Sequence, residues 1–275
     1  MSDPAVKVAA VQMTSTPDTA ANLAVAERLV GEAAADGAKL VVLPECFAHL
    51  GPGDSKLSIA EPLPPAAEPG PVLSRCAGWA KALQVELVLG GFWEQCARVG
   101  YVHNASVHVG SDGRVRAVYR KIHLFDVDLS DGTRLRESDT QVAGDQPVVT
   151  DSVAGRLGMS ICYDVRFPEL YRRLVDDGAT LLSVPAAFTL TTGKDHWHVL
   201  LRARAIESQC YVIAAAQTGK HFGSRQSYGH ALICDPWGTV LAECGEGEGV
   251  AVARIRSEVL RRVRASVPSL RHRRL

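Results

Sequence analysis

The segment GRLGMSICYDVRFPEL, residues 155–170, combines a strand, a reactive side chain and a helix start within sixteen residues. Residues 156–162 are predicted as a strand that ends on Cys162. Pro168 occupies the preferred first position of a helix, which we predict over residues 168–176. The same order of strand and helix recurs on both sides of this segment. The chain is therefore predicted to adopt an α/β fold.

Outward from this segment, apolar runs and turn signals predict one α/β domain over residues 1–275, with mixed strand pairing and no linker. The Pro/Gly-rich residues 51–71 are predicted to be a surface excursion. The polar residues 122–146 form a long loop of the kind that is usually functional. The arginine-rich residues 261–275 are interpreted as a surface or subunit-contact arm. Strands are predicted over 6–12, 39–43, 86–90, 101–109, 114–119, 180–184, 210–216, 228–235 and 239–243, and helices over 19–35, 73–83 and 196–208.

The charge balance and the cysteines restrict the class of protein. Lys+Arg and Asp+Glu both number 30, which argues against a nucleic-acid or membrane-surface partner. The seven cysteines are odd in number and form no CxxC pair, so a reducing compartment is favoured. There is no signal-like leader and no apolar run long enough to span a bilayer. These features predict a cytoplasmic enzyme, and the lack of charge repulsion suits an oligomer.

Three reactive side chains each follow a predicted strand directly. Glu45 ends VVLPE, Lys121 ends VYRK and Cys162 ends GMSIC. In open α/β sheets, ligand sites gather outside the carboxyl ends of the strands. Each residue also has a structural interpretation: a core cysteine, a carboxylate at a helix start, or a solvated lysine. The position of any one of them alone does not decide between these alternatives.

The three segments together resemble the nitrilase superfamily of carbon–nitrogen hydrolases, over nearly the whole chain. ICYDVRFPEL is similar to the nucleophile segment of that superfamily, and LPE and YRKIHLF are similar to its other two catalytic segments. KIHLFDVDL, RESDT, HWHVLLRARAIESQCYVIAAAQTG and SYGHALICDPWGTV resemble the Nit-type branch of amidases. The resemblance implies a four-layer α-β-β-α sandwich, a homodimer or larger homo-oligomer, and no cofactor. Through the loop segment RESDT it also implies that Glu137 joins the site.

The resemblance assigns the chemistry to Cys162 as nucleophile, through a thioester. Ionising a thiol fully at pH 7 costs about 2 kcal/mol, which an adjacent Lys121 ammonium can offset. Lysine is a poor base because it stays protonated, so Glu45 is the general base. Lys121 and the backbone N–H of Tyr163 are predicted to stabilise the oxyanion.

The substrate implied by the resemblance is a small amide of a deaminated, α-keto acid metabolite. AAAQTGKH, SYGH and RHRR are closer to enzymes that act on deaminated glutathione, and the alternative is α-ketoglutaramate, the ω-amidase substrate. Arg166 is predicted either to grip a substrate carboxylate or to pair with Asp164 or Glu169. Phe188 and Thr191 or Thr192 are predicted to line the pocket, although either threonine could instead cap the next helix.

Several rival interpretations remain open at this point. His196 and His198 form an HxH pair, but on a helix they point to different faces and no third ligand stands at a suitable spacing, so no metal is predicted. A nitrilase would use the same three residues. A Cys–His hydrolase would use His123 or His230 as base. A catalytically silent binding protein of the same fold is the alternative outside the enzymes.

Overall fold

The computed structural model describes residues 5–65, 68–128 and 134–274, and the elements below lie within them. The helices are α1 Thr19–Ala35, α2 Pro71–Leu83, α3 Pro168–Asp176, α4 Leu190–Ser208, α5 Ser257–Ser266 and α6 Ser269–His272. The strands are β1 Val6–Met13, β2 Leu40–Leu43, β3 Glu86–Gln95, β4 Val102–Val109, β5 Val115–Arg120, β6 Asp126–Asp128, β7 Arg134–Arg136, β8 Val148–Ser152, β9 Gly155–Met159, β10 Leu181–Ser183, β11 Tyr211–Ala214, β12 Ala216–Lys220, β13 Gln226–Tyr228, β14 Leu232–Cys234, β15 Val240–Glu243 and β16 Gly249–Ile255.

Two mixed sheets form the centre of the molecule. The first has the order β13-β12-β1-β2-β3-β4-β5, and β16 also pairs with β1, antiparallel. The second has the order β15-β14-β11-β10-β9-β8, with β9, β10 and β11 parallel. The strands β6 and β7 form a separate two-stranded ribbon. The carboxyl ends of β2 and β9 therefore belong to different sheets.

Alternating side chains of the first sheet create the layers. Val8 and Val42 belong to one buried cluster with the second sheet, whereas Ala9 and Val41 belong to another with α1 and α2. This follows from the period of two along a strand. Helices α3 and α4 cover the other face of the second sheet, where Trp197 is fully buried. The fold is the predicted four-layer α-β-β-α sandwich.

Helices with clear local signals are confirmed at their predicted bounds. Helix α1 covers Thr19–Ala35, and the Asp18 side chain caps it by accepting a hydrogen bond from the N–H of Ala21 at 3.0 Å. Helix α3 covers Pro168–Asp176 and begins on its proline. Capping and proline chemistry act within a few residues, so these helix ends are visible in the sequence.

The predicted surface excursion at residues 51–71 is wrong for its middle part. Ala60, Glu61 and Leu63 are buried. The Glu61 carboxylate accepts hydrogen bonds from the N–H groups of Val72 and Leu73, at 2.6 and 3.0 Å. It therefore satisfies free donors at the positive end of the α2 dipole, which explains a buried carboxylate that pairs with no cation among the described residues.

Other elements differ from the predictions. Helix α4 begins at Leu190, six residues before the predicted start at residue 196. Strands β8 and β16 were not predicted, because β8 is short and half-buried and β16 pairs with β1 from the opposite end of the chain. Part of the predicted arm at residues 261–275 is helical, and Val263 of α5 is buried. Residue 275 lies outside the described part of the chain.

The predicted strand at residues 210–216 divides between the two sheets. Strand β11 pairs with β10 and β14 in the second sheet, and after Ala215 the chain continues as β12 beside β1 in the first sheet. The predicted hairpin over residues 228–243 divides in the same way. Tyr228 ends β13 in the first sheet, whereas β14 and β15 form a hairpin in the second.

None of the helices in the described ranges has the length and apolar character that a membrane crossing requires.

Candidate active site

Glu45, Lys121 and Cys162 lie together between the two sheets. Each follows a strand end: β2 for Glu45, β5 for Lys121 and β9 for Cys162. Their exposed fractions are 3%, 1% and 8%. The Lys121 Nζ lies 3.0 Å from Glu45 Oε1, and the Cys162 thiol and the Glu45 carboxylate are close enough for each to shift the pKa of the other. The structure thus brings the three predicted residues into direct contact.

Glu137 is the fourth member of this cluster. Its two carboxylate oxygens lie 3.0 and 2.8 Å from Lys121 Nζ, and Oε2 also accepts a hydrogen bond from the N–H of Phe125 at 2.8 Å. Glu137 begins a short 3-10 helix, Glu137–Asp139, within the predicted long loop at residues 122–146. Residues 129–133 of that loop lie outside the described residues. A single buried ammonium therefore stands between two carboxylates.

Two groups that sequence analysis missed hold the Glu45 carboxylate. Asn104 Nδ2 donates to Oε1 at 2.9 Å, and the N–H of Ala187 donates to Oε2 at 2.8 Å. The side chain of Gln217 also donates to the backbone carbonyl of Glu45 at 3.0 Å. Asn104 lies inside β4 and Ala187 contributes only its backbone, so neither follows the pattern of a reactive side chain after a strand.

The backbone around the site adopts left-handed conformations that side chains other than glycine rarely occupy. Cys162 has φ 46° and Cys46 has φ 61°. Gly91, with φ 59°, allows β3 to approach the Glu45 turn, because a Cβ there would stand 2.3 Å from the N of Cys46. The N–H of Cys162 donates to the carbonyl of Pro185 at 2.9 Å. These contacts direct the thiol towards Glu45 at the cost of local strain.

Asp164 anchors the nucleophile turn and was not predicted to do so. It is fully buried. Its Oδ2 accepts hydrogen bonds from the hydroxyl of Tyr119 at 2.7 Å and from the N–H of Ile161 at 2.8 Å, and its Oδ1 lies 2.8 Å from Nδ1 of His123. Since Tyr119 precedes Lys121 by two residues, Asp164 ties the cysteine turn to the strand that carries the lysine.

Charge and burial determine the protonation of Glu45 and Lys121. Burial alone would raise the Glu45 pKa, but the charge and hydrogen bond of Lys121, with the bonds from Cys162 and Ala187, hold it below its ordinary value. Burial alone would lower the Lys121 pKa, and the charges of Glu137 and Glu45 raise it well above its ordinary value. The resting site therefore contains a carboxylate and an ammonium.

For the Cys162 thiol, the contributions that disfavour the charged form prevail. Burial and the Glu45 charge raise the Cys162 pKa well above its ordinary value, and Lys121 offsets only part of this rise. The expectation that the Lys121 ammonium offsets the cost of ionising this thiol is not met, because burial, the largest contribution, and the charges of Glu45 and Glu137 act against it. A raised Cys162 pKa favours the thiol form in the resting site, and this form is suited to general-base activation by Glu45 at the moment of attack.

A narrow cleft opens over the Cys162 thiol. Its wall includes four residues that were predicted to contact the substrate: Tyr163, Arg166, Phe188 and Thr192. Phe125, Ala187 and Thr189 complete the wall. The hydroxyls of Thr189 and Thr192 lie 2.7 Å apart. Thr191 is exposed near the start of α4 and is not among the residues that line the cleft.

Arg166 has neither of the ion pairs that were considered for it. Among the described residues, no carboxylate lies within 4.0 Å of its guanidinium. Its Nη1 lies 3.2 Å from Nδ1 of His196, and the guanidinium is stacked 5.0 Å from the ring of Phe188. The alternative in which Arg166 receives a substrate carboxylate stays a prediction.

A second cavity, of about 400 Å³, adjoins the site on the Glu45 side. Its wall includes Glu45, Glu137 and Ala187, together with a set of cationic side chains. The size is in the range of small-molecule sites. The cationic residues on the wall are Lys56, Arg134, Arg136 and Arg225.

The histidines lie away from the thiol. His123 is stacked on Phe167 and faces Asp164, so the described contacts give no support to a Cys–His pair. His196 and His198 point in different directions, as predicted. His198 and His230 both contact Oε1 of Glu243, at 2.9 and 2.6 Å. His198, His230 and Glu243 thus form a three-residue cluster that the sequence spacing did not show, but His196 of the HxH pair is not part of it, and the hydrogen bonds within the cluster already satisfy these groups.

This fold and this buried cluster of glutamates, lysine and cysteine define a class of hydrolase. The model of the carbon-nitrogen hydrolase family matches residues 7–265, and the chain belongs to that family. The deaminated glutathione amidase of Synechocystis is 48% identical over 268 residues, which cover 96% of this chain and 97% of that protein. The human deaminated glutathione amidase is 44% identical over 97% of this chain and 82% of its own length. The crystal structure of the Caenorhabditis elegans NitFhit protein matches 100% of this chain and 66% of its own, with a TM-score of 0.91 and 40% identity.

Proposed function

We propose that this protein hydrolyses the amide bond of deaminated glutathione and releases α-ketoglutarate and cysteinylglycine. The observation that carries the proposal is the buried cluster in which the Glu45 carboxylate contacts the Lys121 ammonium beside the Cys162 thiol. The similarity to deaminated glutathione amidases over nearly the full length supports the choice of substrate. The cavity on the Glu45 side also offers room for a leaving group larger than ammonia.

Acylation begins with attack of the Cys162 sulfur on the amide carbon, while the thiol proton passes to Glu45. The tetrahedral oxyanion is stabilised by the Lys121 ammonium and by the N–H of Tyr163, which lies in the first turn of the 3-10 helix Cys162–Arg166. The C–N bond then breaks. Glu45 gives its proton to the departing amine, and the acyl group remains as a thioester.

Deacylation repeats these steps with water as the nucleophile. Water gives a proton to Glu45 as its oxygen attacks the thioester carbon, and the same donors stabilise the second oxyanion. The C–S bond breaks, and the departing sulfur recovers the proton from Glu45. Glu137 keeps the Lys121 ammonium in place through its two short contacts, while Lys121 stays protonated throughout.

The pH profile of kcat/KM is expected to be flat from about pH 5 to about pH 9. The Glu45 pKa lies below its ordinary value, so the base is ionised across this range and activity is lost only as the pH falls through that lowered pKa. The raised pKa values of Cys162 and Lys121 keep both groups protonated. Steady-state kinetics between pH 4 and pH 10 measure this. A rise in kcat/KM between pH 6 and pH 9 would instead indicate a thiolate nucleophile.

The decisive assay compares substrates on one enzyme preparation. We expect deaminated glutathione to be hydrolysed with a kcat/KM at least about tenfold higher than that of α-ketoglutaramate. A preference for α-ketoglutaramate would assign the protein to the ω-amidases, and comparable turnover of a simple aliphatic nitrile would assign it to the nitrilases. Absence of turnover with all three, in a folded protein, would favour the silent binding protein.

Assembly and compartment are part of the same proposal. Val199 and Ile206 on α4 and the neighbouring Trp237 are exposed apolar side chains, which favours a homodimer or larger homo-oligomer through this face. Light scattering behind size-exclusion chromatography tests this, and a monomer at micromolar concentration would contradict it. Seven free cysteines suit the reducing cytoplasm.

A further inference from the structure

Arg225 lies beside the catalytic cluster, and the described residues satisfy only part of the hydrogen-bonding capacity of its guanidinium. It lies between β12 and β13 and lines the cavity on the Glu45 side. Its Nη2 donates to the carbonyl of Ala187 at 3.0 Å, while its Nη1 is buried and has no hydrogen-bond partner. A buried donor without a partner is costly, and more so when it is charged. The guanidinium is therefore prepared for an anionic partner.

The other cations of this cavity are already engaged. Arg134 and Arg136 both contact Asp128, at 3.5 and 2.5 Å. The Lys56 ammonium donates to the carbonyl of Gly53 at 2.7 Å. Among the described residues, no carboxylate lies within 4.0 Å of the Arg225 guanidinium. Arg225 is thus the cavity cation with the greatest capacity for a bidentate contact with a carboxylate.

The position of Arg225 relative to the base indicates which part of a substrate it meets. The N–H of Ala187 donates to Glu45 Oε2, and the carbonyl of the same residue accepts from Arg225. Because Glu45 must give its proton to the departing nitrogen, the leaving amine lies on the Glu45 side of the scissile bond. Glu45 and Arg225 line the same cavity, whereas Cys162 and Arg166 line the cleft that receives the acyl part.

The length of a dipeptide matches this arrangement. The carboxylate of a two-residue leaving group lies up to about 7 Å from its amino nitrogen. Only one residue, Ala187, separates the hydrogen-bonding groups of Glu45 from those of Arg225. An amine that receives a proton from Glu45 can therefore extend along Ala187 and place its carboxylate against the guanidinium.

We propose that Arg225 binds the carboxylate of the leaving amine and so selects amides of carboxylate-bearing amines, such as short peptides, over primary amides. The inference rests on the proposed function and deepens it. It assigns the two ends of a doubly anionic substrate to two different arginines, Arg166 at the acyl end and Arg225 at the amine end. A primary amide, whose leaving group is ammonia, makes no use of Arg225.

The test compares two substrates in the Arg225→Met variant. We expect kcat/KM for deaminated glutathione to fall roughly 10- to 100-fold, mainly through KM, because a charge-assisted contact remote from the reacting bond is lost. The kcat/KM for α-ketoglutaramate should change by less than about threefold. Arg225→Lys should recover part of the loss. Lys220→Met, on the same β-hairpin but exposed, is the matched control and should leave both substrates unaffected.

A chemical control separates the contact from general damage to the site. The C-terminal amide of deaminated glutathione lacks the carboxylate, so the wild type should hydrolyse it about as poorly as Arg225→Met hydrolyses the acid. On this amide, Arg225→Met should have the same kcat/KM as the wild type. Equal losses on deaminated glutathione and α-ketoglutaramate would overturn the proposal, as would an unchanged kcat/KM on both.

The inference can fail or stand apart from the proposed function. If the wild type did not hydrolyse deaminated glutathione, the function would fail on that result alone. The anion site would then be tested in Cys162→Ala by calorimetric binding of cysteinylglycine and of its C-terminal amide. The site is supported if Cys162→Ala binds the free acid more tightly than the amide and this preference is lost when Arg225→Met is added. Equal binding of the two ligands by Cys162→Ala overturns it.

Discussion

Replacing Lys121 with methionine is expected to abolish hydrolysis and to destabilise the fold. Methionine keeps most of the length of the side chain but leaves Glu45 and Glu137 buried without their shared cation. Removing one partner of a buried ion pair costs about 3–5 kcal/mol. Burial then raises the Glu45 pKa against only the hydrogen bonds from Asn104 and Ala187, which favours uptake of a proton by the base, and the oxyanion loses its ammonium. We expect kcat/KM to fall at least about 10³-fold, and urea unfolding measures the stability.

A double variant separates the two effects of this substitution. Lys121→Met combined with Glu137→Gln removes one of the two uncompensated charges, so part of the lost stability should return. Activity should not return, because the ammonium is still absent. If Lys121→Met kept more than about a tenth of the wild-type kcat/KM, the electrostatic role of Lys121 would be refuted.

Cys162→Ala is expected to remove activity to the background rate, a loss of at least about 10⁴-fold in kcat. No thioester can form without the sulfur, although substrate still binds. The fold should persist, since alanine retains the Cβ and the backbone contact with Pro185 is unaffected. Rapid quenching followed by mass spectrometry should show an acyl adduct on the wild type and none on the variant.

The matched control for this variant is Cys76→Ala, which removes a buried thiol from α2 in the other apolar cluster. It should keep full kcat/KM and lose only the modest stability of a core truncation, about 1–2 kcal/mol. Comparable inactivation of both variants would mean that cysteine removal damages the fold and would undermine the assignment of Cys162 as nucleophile.

Local patterns account for the part of the fold that could be predicted. Helices α1 and α3 carry their capping and proline signals within a few residues, and the alternation of strand and helix is visible along the chain. Glu45, Lys121 and Cys162 could be singled out as candidates because each follows a strand, although that position alone did not decide their role. Their contact could not be derived from spacing alone, since they come from two different sheets, and it was implied only by family resemblance.

The remainder depended on groups that converge from distant segments. Asn104 and Ala187 hold Glu45, yet they lie 59 and 142 residues away from it along the chain. The pKa of Cys162 is raised first by burial and then by the Glu45 charge, which Lys121 offsets only in part, and no single neighbour in the sequence predicts this. Edge strand β8 and the distant partner of β1 were missed for the same reason, because their stabilising contacts are not local.

The passage of the chain from β11 into β12 has a mechanical consequence. Only Ala215 separates the two strands, so β11 and β12 form one continuous segment that links the two sheets covalently. If one sheet slid over the other, the hydrogen bonds of β11 with β10 or those of β12 with β1 would have to break. Glu45 and Lys121 follow strands of one sheet, and Cys162 follows a strand of the other. The continuous segment therefore also maintains the alignment of Glu45 with Cys162. Loss of that alignment should coincide with global unfolding rather than precede it.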